Sequence, residues 1–250
     1  MKSDDLQSDG PMDAVSDGTA SDVMNDVIPR KRHIAAKYDM PPDHLAYLMS
    51  RPRRTIRIAA GRTFVRRGTH LADMLLVVDG WIARSQYLTS GARQISEFVL
   101  PGDIILPSAT GDQATTSNIE ALTDVTADLI RIDLADQRLE TLDIFVRVHE
   151  ADAEELRVSI TDLGRRSAVE RLANMLWRLD VRLSADASAG RDGRVLNVTQ
   201  ETLADLAGLS LVHTNKTLKW MQDQGLVERR NGKLLVASRS KMKSLCEDMR

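Results

Sequence analysis

A single cysteine, Cys246, stands in the whole 250-residue chain. One thiol excludes a disulfide framework, a thiolate zinc site and a cysteine-ligated iron–sulfur cluster together. Aromatic residues are nearly as scarce, at three each of Trp, Tyr and Phe. Within residues 197–236 only Trp220 is aromatic, so no stacking platform for single-stranded RNA can be assembled there. No apolar run approaches the ~20 residues a membrane helix needs. The opening MKSDDLQSDG lacks the hydrophobic core of a secretory signal, and a cytoplasmic protein without membrane partners is expected. With 42% hydrophobic and 28% charged residues, the chain has material for one or two packed domains.

The net charge of −2 hides an asymmetry. Residues 1–28 carry seven aspartates and one lysine, are rich in Ser and Gly, and show no periodicity. Such a segment buries too little surface to offset its ordering entropy, so a disordered acidic arm is expected. Two roles stay open for it: a solubilising tail, or an intramolecular competitor for a basic surface. Residues 165–250 carry 16 basic and 10 acidic residues, the electrostatic footprint of a polyanion binder.

From about 54 to 132 the hydrophobic pattern has period two. Short β-prone runs lie at 55–59, 63–66, 74–78, 81–87, 93–100, 118–122 and 127–132, punctuated by Gly61, Gly68, Gly80, Gly91 and Gly102. Strands at this spacing predict a closed or sandwiched β domain. Asp79–Gly80 between two apolar runs predicts a two-residue hairpin. A short helix is expected after Pro41–Pro42.

From about Leu134 the pattern becomes helical. Leu142, Val146, His149, Ala153, Leu156, Ile160 and Leu163 alternate spacings of four and three, an a/d heptad seam. A seam this narrow, flanked by Arg147, Glu150, Glu154, Glu155 and Arg157, suits a partner helix in a parallel homodimer better than the broad stripe of a helix lying on a sheet. A second helix is expected over 165–183 with Ala168, Leu172, Met175, Leu176 and Leu179 on one face, then a loop at 184–193.

Residues 197–236 carry the most specific signal. Thr199 is placed to cap a helix of about two turns that buries Leu203, Leu206 and Ala207. Gly208 supplies a left-handed stop, and Ser210 caps a second helix. There Thr214, Leu218 and Met221 fall on the core face, leaving Val212, His213, Lys216 and Lys219 outward. Two helices joined by a glycine turn form a helix-turn-helix, and the second has the width that the DNA major groove admits. The run 226–236 reads as a hairpin turning at Asn231–Gly232, with Arg229, Arg230 and Lys233 at its tip beside a phosphate backbone. Double-stranded DNA is the partner these residues predict.

On the β-roll ending in LPGDII (100–105), the string GRRSAVERLANML (164–176) and TQETLADLAGLSLVHTNKTL (199–218), the chain resembles the Crp/Fnr family of bacterial transcription regulators over about 40–250. The resemblance implies an α+β architecture: an N-terminal jelly-roll-like β-roll sensory domain, a long dimerisation helix, and a C-terminal winged helix-turn-helix. On this sequence the parts are 1–28 (arm), 29–133 (roll), 134–164 (dimer helix) and 165–250 (DNA-binding domain). It also implies a homodimer on a palindromic operator, with RNA polymerase as a further partner. The family's base-reading positions fall on Leu211, Val212 and Lys216, with His213 beside them. Its phosphate contacts fall on Thr199, Gln200, Ser210 and Asn215, joined by Lys219 and the wing cations. Cyclic-AMP-responsive members carry arginine and glutamate where Leu211 and Val212 stand here, so their operator should not carry over.

The sensory site departs from that pattern. Gly102–Asp103 is present, but the family's ribose-binding glutamate is replaced by Pro107, and no Arg or Lys occurs from Asp103 to Ile130. A buried cyclic phosphate would lack a counter-charge. No cyclic-nucleotide response by the family mode, no iron–sulfur cluster and no cofactor are expected. His33, His44, His70 and His149 are scattered rather than grouped as haem or metal ligands would be. A β-roll metalloenzyme is disfavoured because 54–132 contains only His70, so no enzyme is expected. An adaptor using the heptad helix is the remaining alternative.

Overall fold

Helices cover both outer faces of the β-roll, which explains why some of its strands show no alternation. The structure, a computed structural model, describes residues 31–107, 114–132, 138–184 and 195–247. The acidic arm, the loop after Ser184, the start of the dimer helix near Leu134 and the six residues after Pro107 lie outside the described residues.

Helix α1 (31–37) and α2 (Pro42–Ser50) precede β1 (Arg53–Ile58), β2 (Thr63–Val65), β3 (Met74–Asp79), β4 (Ile82–Tyr87), β5 (Arg93–Val99), β6 (Ile104–Ile105), β7 (Asn118–Ala121) and β8 (Val125–Ile130). One sheet has the order β1-β8-β3-β6 and the other β2-β7-β4-β5, with every pairing antiparallel. Their facing sides bury Ile56, Leu75, Val77, Ile82, Val99, Ile119 and Leu129 in one core. The back of the first sheet, through Met74, Leu76, Ile104 and Ile130, packs under Ile34, Leu48, Ile144, Phe145 and Val148. A strand buried on both faces needs apolar residues at consecutive positions, and Met74–Val77 are all buried.

The long helix α3 (Leu139–Arg165) runs into α4 (Ala168–Ser184), with Arg166 in extended conformation between them. Then come β9 (Val195–Leu196), α5 (Gln200–Ala207), α6 (Leu211–Asp223), β10 (Val227–Arg230), β11 (Lys233–Val236) and α7 (Arg239–Glu247). The back of the second sheet, through Ala83, Ile95, Phe98 and Leu100, shares a core with Leu172, Leu176, Leu203, Leu218 and Met221. The C-terminal module is therefore docked on the roll by apolar packing.

One expectation fails. Asp79–Gly80 is not a hairpin: β3 pairs with β6 and β8, whereas β4 pairs with β5 and β7. The glycine is a corner where the chain passes from one sheet to the other. Its φ is +84°, and a Cβ there would lie 2.2 Å from the Asp124 carbonyl oxygen. Positive φ and close backbone approach read locally like a two-residue turn, which is why the dipeptide misled. The true hairpin joins β4 to β5, pairing Tyr87 with Arg93. The helical residues 31–37, the short strands β6 and β9, and α7 were not foreseen. The first and last are short, and the two strands hold only two residues each.

Gly80→Ala is expected to lower unfolding free energy by about 2–3 kcal/mol, from strained φ plus the clash. Gly91→Ala shares the same φ of +84° but has nothing within 4 Å, and should cost about 1 kcal/mol. Denaturant unfolding of both variants checks the difference.

Candidate nucleic-acid interface

Local capping builds the helix pair. The Thr199 side chain accepts from the Thr202 N–H, and the Ser210 side chain accepts from the His213 N–H, each satisfying an orphan donor of a first turn. Gly208 ends α5 at φ +61°, in the left-handed region. Thr214, Thr217, Leu218 and Met221 bury one face of α6. Leu211, Val212, His213, Asn215, Lys216 and Lys219 all face solvent. Val212 is 64% exposed and Leu211 47%, so two apolar side chains at the start of the helix have no partner within the chain.

The wing forms around Asn231 at φ +52° and Gly232 at φ +78°, the paired positive angles of a type I′ turn. Arg229, Arg230 and Lys233 are exposed at its tip. Arg230 is tied to Glu228 at 2.7 Å, which leaves Arg229 and Lys233 as its unpaired cations among the described residues. Thr199 and Ser210 are exposed at their caps, and Gln200 is half-buried. The whole predicted DNA set thus lies on the helix pair and the wing.

The seam and the roll-facing side of α3 are different stripes. Ile144, Phe145 and Val148, which the heptad reading did not include, pack on the roll, while the seam residues Leu142 (55% exposed), Val146 (53%), Leu156, Ile160 and Leu163 face outward, as does His149. Ala153 is half-buried. Toward the C-terminal end Leu156, Ile160 and Leu163 line a cleft of about 200 Å³ shared with β5, α4 and Leu206 of α5. A Cβ on Gly208 would sit 3.0 Å from Leu163 Cδ2. The end of the seam therefore lies against the helix-turn-helix turn.

Three polar contacts that the sequence did not reveal hold the module in place. The Arg171 guanidinium donates to the carbonyls of Ala207 at 2.6 Å, Leu163 at 3.0 Å and Asp162 at 3.1 Å, binding the C-terminal ends of α5 and α3 together. Arg93 Nε donates to Asp205 Oδ2 at 2.6 Å, and Gln94 Nε2 donates to the Asp205 carbonyl at 2.8 Å, joining β5 to α5. The third is Asp103, only 1% exposed. It binds Lys37 Nζ at 2.7 Å and the Arg182 guanidinium, lies 3.4 Å from His33 Nε2, and accepts from the Leu100 N–H at 2.7 Å. Burial alone would raise its pKa, but the Arg182 and Lys37 charges override that and hold the carboxyl well below the usual carboxylate range. The Gly-Asp pair was the available signal, read from the resemblance as part of a nucleotide site. Here its carboxylate bridges α1, the roll and α4.

His44 is bound to Asp143 at 2.7 Å, and the His149 ring lies 6.4 Å from that of Phe145. Among the described residues no three of His, Cys, Asp and Glu group as a metal site would, and no helix is long and apolar enough to cross a membrane.

Comparison with known proteins agrees with this geometry. Residues 170–245 match the model of the Crp-like helix-turn-helix domain, and residues 55–138 that of the cyclic nucleotide-binding domain. The chain is 27% identical to the transcriptional activator protein FnrL of Cereibacter sphaeroides over 175 residues, covering 67% of this chain and 70% of that one. It is 25% identical to the nitrogen fixation regulation protein FixK of Rhizobium meliloti over 200 residues, covering 79% and 90%. Among solved structures, FixK2 from Bradyrhizobium japonicum superposes with a TM-score of 0.65 at 20% identity, covering 78% of this chain and 97% of that one.

Asp103→Asn is expected to destabilise the fold by about 3 kcal/mol, because Lys37 and Arg182 lose their shared counter-charge in a buried site. Acid titration checks the sign. A carboxyl depressed in the folded state contributes stability above its unfolded pKa of about 3.9, and that contribution is lost as pH falls from there toward the folded value. The wild type should therefore lose more stability than Asp103→Asn below about pH 4.

Proposed function

Because the chain belongs to the Crp/Fnr family of transcription regulators, which are not enzymes, we propose that it is a cytoplasmic homodimer that lays α6 in the major groove of a palindromic operator. One observation carries the reading: the first turns of α6, fixed by the Ser210 cap, present Leu211, Val212, His213 and Lys216 to solvent around the side away from buried Thr214, Leu218 and Met221. Lys216 is suited to donate to guanine O6 or N7, and Val212 to pack on a thymine methyl. Thr199, Gln200, Ser210, Asn215, Lys219, Arg229, Arg230 and Lys233 surround the ridge as phosphate contacts that set register.

The exposed apolar seam supports self-pairing through α3, and the contact of Leu163 with the Gly208 turn supports a route from seam geometry to α6. A change in the crossing of the paired helices would alter the separation of the two ridges. RNA polymerase is the further partner. The reading includes no cyclic-nucleotide response, since Pro107 occupies the ribose-binding position and no cation follows it before Arg131. It includes no cofactor.

Selection of bound duplexes from a random library, with purified protein and no effector, should return a palindrome. Lys216→Ala should then weaken binding to that site by about 1–3 kcal/mol and relax one position of each half-site. Unchanged affinity and unchanged site choice would show that α6 does not read bases. Affinity should fall about 10³–10⁵-fold between 50 and 200 mM salt, whereas an adaptor would show a flat response.

Light scattering checks the seam. Leu142→Asp/Val146→Asp should give a folded monomer, because both side chains are exposed in the single chain yet would meet their counterparts in a parallel pair. A dimer surviving both changes would exclude the α3 interface.

A further inference from the structure

A run of arginines lies on the roll, outside the helix-turn-helix. Residues 51–72 contain seven arginines and no acidic residue. Arg53, Arg54 and Arg57 lie in β1, Arg62 in the turn that follows, and Arg66 and Arg67 just after β2; β1 and β2 are each outermost in their own sheet. At that turn the Arg62 N–H donates to the Ala59 carbonyl, so the arginines follow one another along a single rim of the roll. Arg53 reaches Asp128 at 3.7 Å, and Arg51 lies over the Tyr47 ring. Arg54, Arg57, Arg62 and Arg67 are exposed and make no ion pair among the described residues.

A charge or two on an edge strand serves to block edge-to-edge pairing. Four exposed arginines without an ion pair go beyond that: Asp128 serves Arg53 and Thr55, and Asp124 accepts from the Ala60 N–H, so Arg54, Arg57, Arg62 and Arg67 are left to repel one another unless a further anion lies alongside. Operator DNA bound on α6 is poorly placed to be that partner. The sheet order β2-β7-β4-β5 puts the rim at the edge opposite β5, and β5 is the strand that holds the DNA-binding module through Arg93 and Gln94. Three strand spacings, about 14 Å, separate the two edges.

We propose that this arginine rim is the docking surface for the chain's own acidic segment, residues 1–28. Asp4, Asp5, Asp9, Asp13, Asp17, Asp22 and Asp26 are distributed along the whole segment, so it can lie along a rim rather than meet it at one point. Thirty residues precede Lys31, the first described residue. A flexible chain of that length would span roughly 30 Å on average. Tethering also gives it an effective concentration of order millimolar at any surface it reaches. The competing surface is the C-terminal module, where Glu228 already holds Arg230 and Asp180 already holds Arg239. Docking on the rim neutralises the roll and leaves the DNA ridge uncovered.

The test uses the full chain with a nitroxide on Asp17→Cys in a Cys246→Ser background, and reads paramagnetic broadening of backbone amides. In 50 mM salt, amides of residues 54–67 should lose at least half their intensity. They should recover in 500 mM salt, where the Debye length falls to a few ångströms, and in Arg57→Gln/Arg62→Gln/Arg67→Gln. The three side chains are exposed, so unchanged amide positions in the core confirm that the triple variant is folded. Broadening centred on 211–219, broadening on no described surface, or broadening that persists in the triple variant overturns the proposal. None of these outcomes bears on whether α6 reads an operator.

Discussion

A 27-residue helix with two apolar stripes has to find two partners, and most of this architecture follows from that constraint. One stripe of α3, through Ile144, Phe145 and Val148, is covered by the roll. The other, from Leu142 to Leu163, has no cover within the chain over its first half. Burying a large aliphatic side chain is worth about 1.5–3 kcal/mol, so leaving several in water is a standing driving force for association. A single sheet could not satisfy both stripes, since they lie on different faces of one cylinder. The helix thus joins what the roll fixes to what a second copy would fix.

The same helix ends against the DNA-binding module. Arg171 bonds carbonyls at the end of α3 and at the end of α5 with one guanidinium, and Leu163 abuts Gly208 between α5 and α6. Asp103 adds a buried anion of the roll held by Arg182 of α4. A buried charge cluster of this kind is weak evidence for added stability but strong evidence for a fixed geometry, because losing one member strands the others. The module's orientation on the roll is therefore set by directional contacts as well as by apolar packing.

Local chemistry made the helix-turn-helix legible in the sequence. Thr199, Gly208, Ser210 and the Asn231–Gly232 turn each specify a backbone state within a few residues, and the period of Thr214, Leu218 and Met221 separates the inner face from the outer. The outward stripe of α3 was legible in its alternating spacings of four and three, but the second stripe, Ile144, Phe145 and Val148, which lies on the roll, was not. What could not be read was long-range. Gly80 looks like a hairpin because its local needs are those of a hairpin, whereas its constraint is the backbone of Asp124 arriving from another strand. Asp103 looked like part of a ligand site because nothing nearby in the sequence announces Arg182 and Lys37, 79 and 66 residues away. The Arg51–Arg67 run is plain in the sequence, but only the strand order shows that it lies along outermost strands.

In the proposed complex two copies of α6 meet one duplex together. Hydroxyl-radical footprinting on a selected operator measures this directly. Two protected patches on the same face of the duplex, centred about 34 Å or one helical turn apart, are expected. A single protected patch at saturating protein, or two patches on opposite faces, would contradict it.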